Sequence, residues 1–286
     1  MSTASNLFRS QLPSLEESEF NEMRELIFQL AGIRISESKK ILITSRLGKR
    51  LYALGLNSWS DYIAHLKAPG SSESTEFVNA LTTNKSEFFR EKAHFEYLEK
   101  IFLPERFQKD QSPLYVWDGA CSYGQEVYTT VITLEKFKAV NQKHFTYNIL
   151  ATDIDTHVLT KAQKGLYSAA EIERYVPKDI TKQYFKPARV GGENQYLFDQ
   201  QLAKSIKFRQ LNLCDPNQNI PLRFDVVLLR NVLIYFDKPT IEKVIKKAIH
   251  HLKDDGIIII GHCENIPAAK LGLESPKQAV YRRRRS

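Results

Sequence analysis

Cysteine is scarce in this chain. Cys121, Cys214 and Cys263 are the only three among 286 residues, far apart and with no C-x-x-C pair. That argues against a disulfide framework or a thiolate metal site, and makes a reducing cytoplasm the expected compartment. Long hydrophobic runs are missing too. Nothing approaches the about 20 apolar residues of a membrane span, and the longest candidate, Ile257–Ile260, has the length of a core strand. Met1–Ser10 is polar and lacks the apolar segment of a signal peptide. No Gly-x-Gly-x-x-Gly string follows a strand, and no internal repeat is evident. What remains is ordinary globular material, 42% hydrophobic and 26% charged, which argues against disordered, collagen-like and coiled-coil architectures. At roughly 100–200 residues per domain, the chain makes one large domain or two unequal ones.

Charge is unevenly placed. Residues 240–286 hold ten basic against five acidic groups, so +5 of the net +8 lies there, four of the cations in the run Arg282–Arg285. The first 75 residues carry nine basic and eight acidic groups and are nearly neutral. A basic tail suits nucleic acid or an anionic surface, or is simply a solvated chain end.

Residues up to about 75 read as helices alone. Ser14-Leu15-Glu16-Glu17 has a capping-box pattern, followed by Phe20, Met23, Leu26, Ile27, Leu30 and Ala31 at helical spacing and a stop at Gly32. A second helix over Ser38–Leu54 places Ile43, Leu47, Leu51 and Leu54 on one side and Arg46, Lys49 and Arg50 on another. Trp59, Tyr62, Ile63 and Leu66 mark a third. Lys67–Ser72 reads as a linker, giving a helical domain over 1–75 and a second domain over 76–286.

From Leu81 onward strands alternate with helices. Leu114–Trp117, Tyr147–Ala151, Phe224–Leu229 and Ile257–Ile260 read as strands, the last two too rich in aliphatic residues to be half exposed, and suit a parallel sheet covered by helices on both faces, with Thr240–Leu252 as a helical crossover. Leu271–Ser275 and Gln278–Arg282, joined at a turn containing Pro276, predict an antiparallel hairpin that finishes the sheet. Residues 185–209, with strands at Gln195–Asp199 and Ser205–Arg209, predict a small antiparallel β insertion.

Chemistry concentrates at strand ends. Asp118-Gly119-Ala120-Cys121-Ser122-Tyr123-Gly124-Gln125-Glu126 follows the first strand, where open α/β sheets bind ligands. Asp153 ends the second strand, where a carboxylate can accept hydrogen bonds from both ribose hydroxyls of an adenosine ligand. NAD and S-adenosylmethionine both fit that pair. The missing pyrophosphate cradle and the antiparallel end of the sheet favour S-adenosylmethionine. His262 reads as structural.

Two further strings make the case specific. Leu81-Thr82-Thr83-Asn84-Lys85-Ser86-Glu87-Phe88-Phe89-Arg90-Glu91 and Arg230-Asn231-Val232-Leu233-Ile234-Tyr235-Phe236-Asp237, taken with Ala151–Asp155 and Gly261-His262-Cys263-Glu264-Asn265, resemble the CheR family of chemotaxis receptor methyltransferases. The resemblance spans essentially the whole chain. It implies a Rossmann-like α/β methyltransferase sheet with an N-terminal all-helical domain and a small antiparallel β insertion. The implied activity is S-adenosylmethionine-dependent methyl transfer to glutamate carboxylates on the cytoplasmic helices of chemoreceptors, releasing S-adenosylhomocysteine. By the same resemblance Asn84, Ser86, Arg90, Glu126, Asp153, Asn212, Leu213, Arg230 and Asn231 contact the cofactor. Arg90 and Tyr235 lie nearest the transferring methyl, and the helix with Arg46, Lys49 and Arg50 docks the receptor. No metal, no nucleic acid and no membrane insertion are expected, and the protein is expected to be a monomer.

The chain departs from the family string S-x-G-x-S-T-G-E-E-P-Y-S at Tyr123, Gln125, Val127 and Thr129, while Glu126 is kept. Ser86 replaces a threonine, and Cys263 and Asn265 stand where serines are common. The bulk of Tyr123 puts catalytic rate in question. Two other readings remain. One is a non-catalytic S-adenosylmethionine-binding regulatory protein. The other is a nucleic-acid methyltransferase, against which no Asn-Pro-Pro-aromatic string follows the fourth strand.

Overall fold

The computed structural model describes residues 12–217 and 220–284. Met1–Ser10 and Arg285 of the basic run lie outside these residues. The chain divides into two compact units, one of residues 1–83 with Tyr235–Asp237, the other of residues 84–234 with 238–286. No helix among the described residues is long and apolar enough to cross a membrane.

Among the described residues, the α-helices Glu17–Ala31, Lys40–Ala53, Trp59–Lys67 and Glu73–Leu81 build the first unit. Their apolar stripes meet in a core of Phe20, Met23, Ile27, Ile43, Leu47, Leu51, Trp59, Tyr62 and Phe77. The first helix starts later than its sequence signal. Glu16, not Ser14, is the cap, and Glu19 returns its side chain to the Glu16 amide. Gly32 ends it in the left-handed conformation at φ 70°.

The helix Glu73–Leu81 runs across the boundary expected near residue 75 and belongs whole to this unit. Glu73 is the reason. Only 3% exposed, its carboxylate takes a fork of two hydrogen bonds from Arg50, at 2.9 and 2.6 Å, and a third from the Tyr62 hydroxyl at 2.9 Å. Burial and the neighbouring carboxylate together push the Tyr62 phenol up, so it stays a donor. Arg46 caps the other end of that helix, its guanidinium 3.1 Å from the Leu81 carbonyl and close to that of Thr82. Two of the three cations expected on a receptor-docking face thus have partners inside the helical unit. Lys49 is the exposed one. Tyr235–Asp237 joins the same unit through Arg34, which donates its amide to the Tyr235 carbonyl at 2.9 Å and its guanidinium to Asp237 at 2.7 Å.

The second unit is a seven-stranded sheet. Its strands are β1 Leu114–Asp118, β2 Tyr147–Asp153, β6 Ile206–Gln210, β7 Phe224–Leu229, β8 Leu252–Ile260, β9 Leu273–Lys277 and β10 Val280–Arg283. The order is β6-β2-β1-β7-β8-β10-β9, with the first five parallel and the last two antiparallel. β7 is buried along its whole length, including Asp225, which pairs with Arg106 and Lys253, and β8 is buried from Gly256 to Ile260, as the apolar runs Val226–Leu229 and Ile257–Ile260 require. Val116, Ile149, Ala151, Val226, Leu228, Ile257 and Ile259 share one core with Val127, Val131, Leu134 and Phe137 of the helix Gln125–Asn141.

Two expectations need correction. Ser205–Arg209 does not belong to the insertion: as β6 it runs parallel to β2, Ile149 facing Ile206, and forms the edge of the main sheet, where Ile206 and Phe208 pack against the core. The insertion's strands are β3 Leu166–Ser168, β4 Phe185–Val190 and β5 Glu193–Phe198, in the order β3-β5-β4. Pro276 lies within β9, at the sheet edge where a missing N–H is tolerated, and the turn falls at Gln278-Ala279 instead. The terminal arginines are also partly committed. Arg282 pairs with Glu274 at 2.6 Å, and Arg283 donates to the Ile249 carbonyl at 2.6 Å.

The Arg50–Glu73 pair gives the first prediction. Removing either partner leaves the other poorly paired in a largely buried setting. In a double-mutant cycle, Arg50→Ala and Glu73→Ala should couple by ~2 kcal/mol in thermal or urea unfolding. Additive effects would show that the pair contributes nothing beyond its separate contacts.

Candidate functional site

All polar residues of the site described here belong to the second unit, and most sit just beyond the carboxyl ends of β1, β2, β7 and β8. Glycine is needed where the first loop leaves β1. A Cβ on Gly119 would come within 2.5 Å of a Leu229 methyl and 3.3 Å of the Leu228 carbonyl. Gly124, at φ +92°, starts the helix Gln125–Asn141. Between them the loop is tied to β2: the Cys121 amide donates to the Thr152 carbonyl at 2.9 Å, and the Ser122 amide to Asp153 at 2.8 Å.

Asp153 is 7% exposed and accepts a second amide, that of Asp155, at 3.0 Å. Burial pushes its carboxyl up to about 6 despite these bonds. The Ile154 amide also favours its ionised form, and because a carboxylate has about four lone-pair sites, acceptor capacity is left for a ligand's hydroxyl. Asn84 is fixed alongside. Its side chain donates to Asp155 at 2.6 Å, and its carbonyl accepts from the Ser122 hydroxyl at 2.9 Å. Asn212 turns the chain after β6 by accepting the Cys214 amide at 2.9 Å, with Leu213 buried beside it.

Arg230 forms the other half of the site. It is 4% exposed, and its guanidinium donates to Glu126, to the Arg90 carbonyl, to Glu91 at 3.3 Å and, through Nε, to His94 Nδ1 at 2.9 Å. His94 is therefore a neutral acceptor at Nδ1; burial and Arg230 push it down to about 3. Glu126 is raised by burial and held back by Arg230. Glu91 also accepts from Asn231 Nδ2 and from the His262 amide, both at 3.2 Å, and these donors keep its carboxyl low against the cost of burial. Glu91, His94 and His262 place ligating atoms within 4.8 Å of one another. Arg230 already uses the His94 lone pair that a cation would need there.

Glu264 holds the loop after β7. Its carboxylate accepts four backbone amides: Gly261 at 2.5 Å, Leu233 at 2.7 Å, Asn231 at 2.9 Å and Ile234 at 3.2 Å. Asn231 is thereby kept at φ 57°. Among the described residues six non-glycine residues have positive φ, and four of them, Phe89, Glu91, Ser122 and Asn231, belong to this region. Strain concentrated in this way marks a site held in a set geometry by its surroundings.

The residues expected at the site from sequence are thus gathered unequally. Asn84 and Asp153 share one network; Glu126, Arg230 and Asn231 share another, which the Arg90 carbonyl also enters. The Arg90 guanidinium is half-buried and donates to the Lys85 carbonyl at 3.1 Å. Ser86 is half-buried. Tyr235 belongs to the first unit, where its hydroxyl lies 3.4 Å from the Thr83 carbonyl. Glu91 and Glu264 had no assigned role. Both stand inside the quoted strings, but a buried carboxylate that collects amides from distant loops has no periodicity to announce it.

Comparison with known proteins agrees along the chain. Residues 18–82 match the CheR methyltransferase all-alpha domain, and residues 84–281 the CheR methyltransferase SAM binding domain. Chemotaxis protein methyltransferase 2 of Pseudomonas aeruginosa is 36% identical over 281 residues, covering 98% of each chain. The chemotaxis protein methyltransferase of Salmonella typhimurium is 36% identical, covering 95% of this chain and 92% of that one. The Borreliella burgdorferi protein of the same name is 32% identical, over 99% of this chain and 100% of its own length.

The four amides on Glu264 supply a test. Glu264→Ala would leave them without their acceptor in a buried loop, each at a cost of about 1–3 kcal/mol before relaxation. The variant should lose ~3 kcal/mol of stability, and hydrogen exchange at Asn231, Leu233 and Ile234 should accelerate. Unchanged protection at these amides would mean the loop is held by other contacts.

Proposed function

This chain belongs to the CheR methyltransferase family, whose work is S-adenosylmethionine-dependent methylation in chemotaxis, and we propose that its acceptors are glutamate side chains on the cytoplasmic helices of chemoreceptors. The observation that carries this reading is the pairing of Asp153 with the Ser122 loop at the ends of β2 and β1, an acceptor site suited to an adenosine ribose. The cytoplasm follows as the working compartment, because the receptor segments to be modified lie there.

In this reading Asp153 receives the ribose, and Asn84, Ser86, Asn212 and Leu213 line the adenosine. Glu126, Arg230 and Asn231 face the methionine end. An acid-rich site suits a ligand with permanent positive charge, and the buried Arg230 is already shared between carboxylates. When bound, S-adenosylmethionine supplies an activated sulfonium leaving group. The acceptor glutamate, with an ordinary pKa of about 4.3, is already a carboxylate at neutral pH and needs no general base. The protein's task is then to exclude water and hold the acceptor oxygen in line, about 3 Å from the methyl carbon. Arg90 orients the carboxylate by hydrogen bonding, weakly enough to leave a lone pair free to attack, and Tyr235 is assigned to the methyl-transfer step by the family resemblance alone. The receptor-docking proposal narrows to Lys49, because Arg46 and Arg50 also hold the helical unit together.

Radiolabelled methyl transfer to receptor-containing membranes tests the acceptor. The expected product is label on a receptor band that is released by mild base, as a carboxyl methyl ester is. Base-stable label would point to nitrogen methylation and overturn the proposal. Binding without turnover would favour a regulatory protein.

Asp153 gives a second measurement. Ribose hydroxyls donate to its ionised form, so affinity should be greatest above pH 6 and fall as Asp153 takes up its proton below it. Asp153→Ala should remove about 1.5–3 kcal/mol, a tenfold loss or more, equally for donor and product because both carry the ribose. Calorimetry showing unchanged binding by the folded variant would defeat the assignment.

A further inference from the structure

The β insertion is bonded to the first loop of the site at two points. Tyr167, the central residue of β3, is 4% exposed and donates its hydroxyl to the Tyr123 carbonyl at 2.8 Å. Glu171, in the helix Ala169–Tyr175 that follows, accepts from the Gln125 side chain at 2.7 Å. The Tyr167 ring is held in place. It stands edge to face with Phe88 at 4.8 Å and with Tyr128 at 5.9 Å between ring centres, and it pairs across the small sheet with Tyr196 of β5. Burial pushes its phenol well above the ordinary range, so the hydroxyl keeps its proton and remains a donor. Gly124 permits the close approach: a Cβ there would lie 2.9 Å from the Tyr167 oxygen.

The Tyr123 carbonyl belongs to a strained turn. Ser122 before it has φ 50° and Gly124 after it φ 92°, and for the serine that conformation is sterically unfavourable and needs support from its surroundings. The Ser122 amide is the one that donates to Asp153, at 2.8 Å. A line of contacts therefore runs from the insertion, through one strained turn, to the carboxylate at the end of β2. We propose that Tyr167 is a positioning residue for Asp153, which makes the β insertion a working part of the cofactor site. The inference rests on Asp153 being the ribose acceptor. Without the phenol, the Tyr123 peptide group loses its restraint on the insertion side, the Ser122 amide is held less firmly on Asp153, and the carboxylate is less well ordered to meet the ribose. Tyr167 acts through the turn and not by touching the ligand. Its loss is therefore felt equally by S-adenosylmethionine and S-adenosylhomocysteine, which share the ribose, and leaves the transfer step unaltered.

Tyr167→Phe removes the hydroxyl and keeps the ring. Calorimetry on the full chain should show S-adenosylmethionine and S-adenosylhomocysteine each bound about fivefold more weakly. In methylation of receptor-containing membranes, KM for the donor should rise by the same factor and kcat should stay within about twofold. Tyr128→Phe is the control. Its hydroxyl belongs to the same aromatic cluster but donates to the Ala162 carbonyl at 2.8 Å and not to the turn, so both affinities should stay within about twofold. Because Tyr167 acts through Asp153, the double variant Asp153→Ala/Tyr167→Phe should bind no more weakly than Asp153→Ala alone. Unchanged affinities in Tyr167→Phe, equal weakening by Tyr128→Phe, additive losses in the double variant, or a fall in kcat at constant KM would each overturn the proposal. Hydrogen exchange on the wild-type chain tests it without a substitution. S-adenosylhomocysteine should slow exchange at Tyr167 and Tyr196 as well as at Ser122, and slowing confined to the loop would count against the insertion's part in the site. Wild-type affinity in Asp153→Ala would defeat the ribose assignment and this proposal with it, whereas a loss there with none in Tyr167→Phe would defeat this proposal alone.

Discussion

Arg230 is a guanidinium almost wholly removed from water, and such a charge survives in a protein interior only if its neighbours replace the hydration it has lost. Here they come from widely separated parts of the chain: Glu126 after the first strand, Glu91 and the Arg90 carbonyl from the segment before it, and the neutral ring of His94. Each of these groups is fixed by Arg230 in turn. Glu126 would be a costly acid there without it, and burial, with Arg230 second, keeps His94 unprotonated. The site is therefore assembled around one charge, and its members lose their reason for being where they are if that charge is removed.

Glu264 does for the backbone what Arg230 does for the side chains. Four amides from the ends of β7 and β8 converge on its carboxylate, and the left-handed Asn231 sits among them. A Cβ on Gly261 would lie 2.9 Å from that carboxylate and 2.5 Å from the Asn231 side chain, so the approach of the two loops depends on a residue without one. Positive φ angles at Phe89, Glu91, Ser122 and Asn231 are then understandable as local strain carried by a network with several anchors.

The chemistry asks little of the protein in acid–base terms and much in electrostatics. Buried carboxyls at Asp118, Glu126 and Asp153 outnumber the guanidinium between them, and burial is the largest upward influence on each. Such a cluster is unfavourable empty and becomes favourable around a cation. That is the charge complement of a sulfonium donor.

The sequence by itself determined the architecture and the family. Helical periodicity up to about residue 75, four largely apolar strands and the LTTN…FFRE and RNVLIYFD strings carry that much, because period and motif are local properties of a chain. Boundaries were less legible. The helix Glu73–Leu81 belongs to the first unit because of a carboxylate paired with Arg50, and β6 joins the main sheet because of its register with β2; neither partner is visible from the segment itself. The same holds at the site. The position of Asp153 at a strand end could be read from the sequence, whereas Arg46 and Arg50 read as a basic face and prove to have partners within the helical unit. Glu91 and Glu264 became meaningful only when folding showed how many donors each carboxyl meets. Whether a carboxyl is paired, strained or left alone is set by groups that come together across tens of residues of sequence, and only the tertiary structure decides it.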